Sequence, residues 1–205
     1  MERETRSGLP VEIRAADDGT VTVEGYAAVF NEPTNIGDVF TEVVAPGAFR
    51  SALARKDDVE FLINHGGLPI ARSTAGNLEM LEDDRGLFIR AKLDPTDPDV
   101  QRIIPKMRAG MLDQMSFAFQ ATGQRWDTPA QGMDVRTITD VMLYDVSIVN
   151  RGAYPQTTIA LRSRDEAKAE AERLLAEEAR AAERKFHDAQ GYFNRKLRLS
   201  EPRKG

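Results

Sequence analysis

Between Val21 and Val149 the apolar residues come in short runs, rich in β-branched and aromatic side chains, broken by glycine, proline or acidic clusters. Such runs, several of them alternating with period two, mark half-buried strands and constrain the chain to a mostly β fold. The clearest is Asp113-Gln114-Met115-Ser116-Phe117-Ala118-Phe119. In an extended strand Met115, Phe117 and Phe119 share one face and can enter a core. Gln114, Ser116, Ala118 and Gln120 share the other face, where a small serine beside an alanine leaves room for a second backbone to approach. The plain alternative is a serine on the solvated side of an antiparallel strand.

The remaining elements follow from the same pattern. Strands are predicted at Val11–Ile13, Val21–Phe30, Val39–Val44 and Val59–His65, the last followed at once by Gly66-Gly67. A hairpin joins Asn77–Leu81 to Gly86–Leu93 through Glu82-Asp83-Asp84-Arg85. Pro46 to Leu53 reads as a short helix opening on proline, with Phe49 and Leu53 on its buried face. A second helix runs from Pro98 to Ala109, with Val100, Ile103, Ile104 and Met107 on one side and Gly110 as its stop. After a polar loop at Thr128–Gly132 come Val135–Ile138, a break near Asp140, and a strand over Val141–Val149. From Arg162 to about Gln190 the chain is rich in Ala, Glu and Arg and strongly helical, with only Leu174 and Leu175 as an apolar stripe.

Charge divides the chain at the same place. Residues 162–205 hold 12 Lys/Arg against 9 Asp/Glu, net +3, whereas residues 1–161 hold 16 against 24, net −8. Two parts are therefore expected, a β domain over 1–161 and a charged helical extension over 162–205. The acidic front part argues against nucleic acid as its ligand. With no cysteine, disulfides and thiolate chemistry are excluded. The two histidines, His65 and His187, show no metal-ligand spacing, so neither a metal nor another cofactor is expected. The opening residues lack the apolar run of a secretory signal and no stretch is long enough to span a bilayer, so a soluble, cytoplasmic protein is expected.

One constellation carries chemistry. Ser116 needs a base to act as a nucleophile, and His65, at a strand end beside glycines, is the one histidine of the β domain. A carboxylate on the far ring nitrogen would orient the imidazole and stabilise its charged form. Asp145 and Asp140 both qualify. Asp145 is favoured because it puts an unexplained charge into the apolar run Val141–Val149, which is costly without a partner. Asp140 alternatively ends a turn. Ser147 lies on the face of Asp145 and is a rival nucleophile. His65 is otherwise a half-buried histidine satisfied by a carbonyl, and His187 is assigned no role. No Gly-x-Ser-x-Gly elbow is present.

Five ordered segments resemble the prohead proteases of tailed phages, capsid-maturation serine proteases related in fold to herpesvirus assemblin. They are Gly25-Tyr26-Ala27-Ala28-Val29-Phe30-Asn31, Glu42-Val43-Val44-Ala45-Pro46-Gly47-Ala48-Phe49, Asn64-His65, Gly110 through Phe119, and Leu143-Tyr144-Asp145-Val146-Ser147-Ile148-Val149. The likeness covers most of residues 20–161. It departs at Gly66, where an aspartate is common, at Ser116-Phe117-Ala118-Phe119, where Ser-Ile-Gly-Phe is usual, and at Arg151-Gly152-Ala153-Tyr154-Pro155, a partial match to a Pro-Ala-Asn-Pro-like run.

The resemblance implies a small, mostly antiparallel β-barrel with helices packed around it and a C-terminal helix appended. It implies a serine endopeptidase with Ser116 as nucleophile, His65 as base and Asp145 as orienter; the oxyanion groups stay open, with backbone N–H groups around Arg151-Gly152 as one candidate. The implied substrates are scaffold segments of the major capsid protein, or a separate scaffold protein, inside the assembling procapsid in the host cytoplasm, and the protease itself. A non-catalytic capsid- or scaffold-binding protein on the same fold is the competing expectation. Cleavage preference and self-association into a homo-oligomer are left open by the sequence.

Overall fold

The computed structural model describes residues 3–10, 12–15, 21–37 and 39–150, together with Arg173 and Arg180. Contacts divide the chain into Met1–Ala160 and Leu161–Gly205. Apart from Arg173 and Arg180, the helix expected from Arg162 to about Gln190 lies outside the described residues, as does His187.

Along the chain run β1 (Glu4–Pro10), β2 (Glu12–Ala15), β3 (Val21–Val29), β4 (Thr34–Ile36), β5 (Phe40–Val44), α1 (Arg50–Arg55), β6 (Glu60–Ile63) and β7 (Gly66–Arg72). A 3-10 turn, Ser73–Ala75, leads to β8 (Leu78–Glu82), β9 (Gly86–Leu93), α2 (Pro98–Arg108), β10 (Gln114–Asp127) and β11 (Asp134–Val149). One sheet is ordered β1-β10-β11-β5-β4, with β6 on β11 and β7 on β6. The other is β2-β3-β9-β8.

The fold is mostly β, as expected, but the antiparallel barrel needs correction. Among the described residues the two hydrogen-bonded sheets do not close on themselves. The large sheet is also mixed. β11 pairs antiparallel with β10 along nearly its whole length, while its other edge takes β5 in parallel over Asp134–Ile138 and β6 in parallel over Asp145–Ile148. This is possible because β11 is one 16-residue strand. The break expected near Asp140 is absorbed instead by register shifts in β10 around Gly123, and the Thr122 hydroxyl donates to Asp140 Oδ2 at 2.6 Å.

A single main core holds the sheets together. It unites Val23, Ile89 and Leu93 of the smaller sheet with Phe117, Phe119, Val146 and Ile148 of the larger, and with residues of both helices. Rings of Phe30, Phe49, Phe117 and Phe119 follow one another at centroid spacings of 6.2, 5.5 and 4.9 Å. Burying each such ring is worth about 1.5–3 kcal/mol. Met115 and Phe117 flank Ser116 and are both buried, so they fix the strand that carries it. Within the smaller sheet β9 runs close against β3 at Gly86, where a Cβ would lie 2.0 Å from the Ala28 carbonyl oxygen.

The helices begin and end for local reasons. Asp97 caps α2 by accepting from the Asp99 N–H at 2.7 Å, Pro98 follows as its first residue, and Val100, Ile103 and Met107 are buried. α1 is shorter than predicted, because residues 46–49 form turns before Arg50. No helix among the described residues is long and apolar enough to cross a membrane.

Candidate active site

β6 and β7 are joined by a two-residue turn, Asn64-His65, both left-handed with φ of 51° and 56°. Two positive φ values make the mirror-type turn that matches strand twist, and asparagine and histidine tolerate this region better than most residues. The turn is therefore Asn64-His65 itself, with Gly66 already in β7, rather than the following glycines. It is tied to β11 by Asn64 N–H donating to the Ile148 carbonyl at 2.9 Å and His65 N–H donating to Ser147 Oγ at 3.1 Å. These bonds aim the imidazole across β11 toward β10.

Ser116 and Ser147 are directly opposite in the β10–β11 ladder, and Asp145 pairs with Ala118. All three polar side chains lie on one face, away from the core. His65 Nε2 stands 2.7 Å from Ser116 Oγ, and Nδ1 stands 2.7 Å from Asp145 Oδ1. A carboxylate only accepts, so Nδ1 carries the proton toward Asp145 and leaves Nε2 to receive one. Ser147 donates to Asp145 Oδ1 at 2.9 Å, which steadies the carboxylate without placing Ser147 at Nε2. Asp140, with its carboxylate on Thr122, makes no contact with His65. The residues around Arg151-Gly152 lie outside the described ones.

The N-terminal strand completes the surroundings, and no sequence pattern announced it. β1 lies antiparallel along the free edge of β10, with Ser7 opposite Ser116 and Arg6 opposite Phe117. The Ser116 hydroxyl donates to the Arg6 carbonyl oxygen at 2.7 Å. It has one proton and two acceptors, so it serves the imidazole only when it releases that carbonyl. Arg3 forms an ion pair with Asp145 Oδ2, the oxygen His65 does not use. Burial of the imidazole, and then the nearby Arg3 guanidinium, push the His65 pKa from 6.5 down to about 4. At neutral pH the imidazole is accordingly uncharged.

Beneath β1 four charged side chains are buried together. Arg6 reaches Glu42 through Nε at 2.5 Å and Nη2 at 2.9 Å, and Glu4 at 2.7 Å. Arg136 reaches Glu4 at 2.6 and 2.8 Å and Glu42 at 3.0 Å, and its Nε is held by Gln124 at 2.7 Å. The Glu42 charge was legible in principle, since it shares a strand face with Phe40 and Val44, the same kind of anomaly that singled out Asp145.

A family model described as the caudovirus prohead serine protease matches residues 9–172. The chain belongs to that family. It is 29% identical over 153 residues to the prohead protease of Enterobacteria phage HK97, covering 73% of this chain and 64% of that protein's length. Its fold is similar to the bacteriophage T4 capsid assembly protease, with a TM-score of 0.51 and 12% identity, over 72% of this chain and 97% of that one. Membership in a prohead serine protease family gives the serine–imidazole–carboxylate contact a chemical context.

Proposed function

We propose that the chain is a serine endopeptidase of capsid maturation, with Ser116 as nucleophile, His65 as general base and Asp145 as its orienter. The observation that carries this reading is the pair of 2.7 Å contacts from the His65 ring to Ser116 Oγ and to Asp145 Oδ1. In this mechanism Ser116 Oγ bonds to the scissile carbonyl carbon while its proton moves to Nε2. The carbon–nitrogen bond then breaks and the leaving amine takes that proton. Water, deprotonated by the same imidazole, hydrolyses the ester and restores the hydroxyl. The N–H groups near Arg151-Gly152 are proposed to hold the oxyanion.

The substrate is an extended peptide that adds to the β10 edge, where β1 lies. The proposed substrates are scaffold segments inside the prohead, either part of the capsid protein or a separate scaffold, a role that fits membership in a prohead serine protease family. The chain itself is the nearest substrate, because its Arg6–Ser7 bond already lies against Ser116. The work is done inside the assembling procapsid in the host cytoplasm. Residues 162–205 serve as a separable extension, whose deletion spares peptide cleavage and impairs incorporation into particles. Co-expression with the capsid protein tests the reading: processing that is unchanged in Ser116→Ala would leave only a capsid- or scaffold-binding role.

A further inference from the structure

We propose that Glu42 and Arg136 form two charged recognition subsites for the peptide strand that pairs with β10. Glu42 takes a basic side chain at the residue whose carbonyl meets Ser116, and Arg136 takes an acidic side chain two residues earlier. This rests on the reading of Ser116 as the nucleophile and names the substrate class for it, a peptide of the form acidic-x-basic before the cut bond.

The chain's own Glu4-Thr5-Arg6 segment displays the arrangement. In a strand, residues two apart face the same way, so Glu4 and Arg6 enter the fold together while Thr5 does not. Arg6 is the residue whose carbonyl accepts from Ser116, and its guanidinium meets both oxygens of Glu42. Glu4 is gripped by two nitrogens of Arg136. The receiving groups belong to the body of the fold: Glu42 is on β5 and Arg136 on β11, 2% and 1% exposed respectively. Gln124 on β10 fixes the Arg136 Nε, so the two outer nitrogens point at whatever strand lies on the edge.

Glu42 and Arg136 also touch each other at 3.0 Å, so the pair is neutral when the edge is empty. Neither is then fully hydrogen-bonded. A docking strand with apolar residues at these two positions would remove them from water and leave their remaining lone pairs and N–H groups unmatched. A strand with one acid and one base satisfies both. Sites built this way reject ligands that lack the matching group far more strongly than apolar pockets reject a wrong shape. Beside Arg6 and Glu42 a cavity of about 410 Å³, lined also by Glu32, Asn35, Val44 and Phe117, adds a second carboxylate and room for either a lysine or an arginine head group.

Two arms test the inference on the full chain. In the first, quenched peptides containing Glu-Thr-Arg-Ser are compared with peptides carrying leucine in place of the arginine or of the glutamate, a change that leaves the protein's fold untouched. Each replacement is expected to lower kcat/KM by at least about 30-fold. In the second, mass spectrometry maps all cuts in a mixed peptide library and in the chain itself, for the wild type, Glu42→Gln and Ser116→Ala. The expected profile has Lys or Arg before the bond and Asp or Glu two residues earlier, with the basic preference reduced in Glu42→Gln. Cuts that need Ser116 but ignore charge would overturn the subsites and leave the protease standing. No cut that depends on Ser116 would overturn the nucleophile and the subsites with it.

Discussion

Arg3 pairs with the Asp145 carboxylate oxygen that His65 leaves free, so one buried acid is shared between the N-terminal segment and the imidazole. A guanidinium on Asp145 cancels much of the charge that would otherwise support an imidazolium. The same segment engages the Ser116 hydroxyl through the Arg6 carbonyl. With β1 on the edge, both the base and the nucleophile are therefore held in a resting arrangement.

Replacing Arg3 with alanine should raise the His65 pKa from about 4 part of the way toward 6.5, because burial remains the larger cause of its depression. NMR titration of the ring resonances, assigned by comparison with His65→Gln, measures the shift. An unchanged midpoint would mean that Arg3 does not act on the imidazole.

The depressed pKa has a consequence for folding. Between about pH 4 and 6.5 the unfolded chain binds a proton at His65 that the folded chain does not, so stability falls as pH drops through this window. Urea denaturation at pH 7.5 and pH 5 should show a larger loss for the wild type than for His65→Gln. Equal losses would place the pH dependence elsewhere.

Asp145 and Asp140 should separate sharply in activity. Asp145→Asn forces the wrong tautomer on His65 and should lower cleavage by about 10⁴-fold. Asp140→Asn removes only a charge beside Thr122 and Arg55, away from the imidazole, and should stay within a few-fold of wild type. Comparable losses in both variants would contradict the assignment of the acid.

The buried charge network makes a stability prediction as well. Arg136→Ala leaves two buried carboxylates, Glu4 and Glu42, sharing Arg6 as the one remaining cation of the network, and breaking a buried network in this way costs about 3–5 kcal/mol. Chemical denaturation measures it. A loss under about 1 kcal/mol would show that the carboxylates find water or protons cheaply.

Much of the fold can be read from local pattern. The hairpin β8–β9, the helix α2 and the faces of β10 follow from period-two and period-3.6 spacing, which needs only neighbouring residues. What could not be read depends on distant partners. β1 looks like a charged, solvated terminus, yet Glu4 and Arg6 are buried because Arg136 and Glu42 meet them from 132 and 36 positions away. The parallel pairings of β11 are set by which strands return to its edge, and nothing within Val135–Val149 specifies that. Of the candidate site, the three residue types were visible. Their contact depends on the Asn64-His65 turn, and the positive φ at His65 has no signature when glycines follow it.

The central claim, that His65 activates the Ser116 hydroxyl, is tested most directly by labelling with a fluorophosphonate, which bonds covalently to an activated serine. Mass spectrometry of the wild type should find a single adduct on Ser116, and His65→Gln should give none. An adduct on Ser147, or equal labelling of Ser116 without the imidazole, would contradict the account.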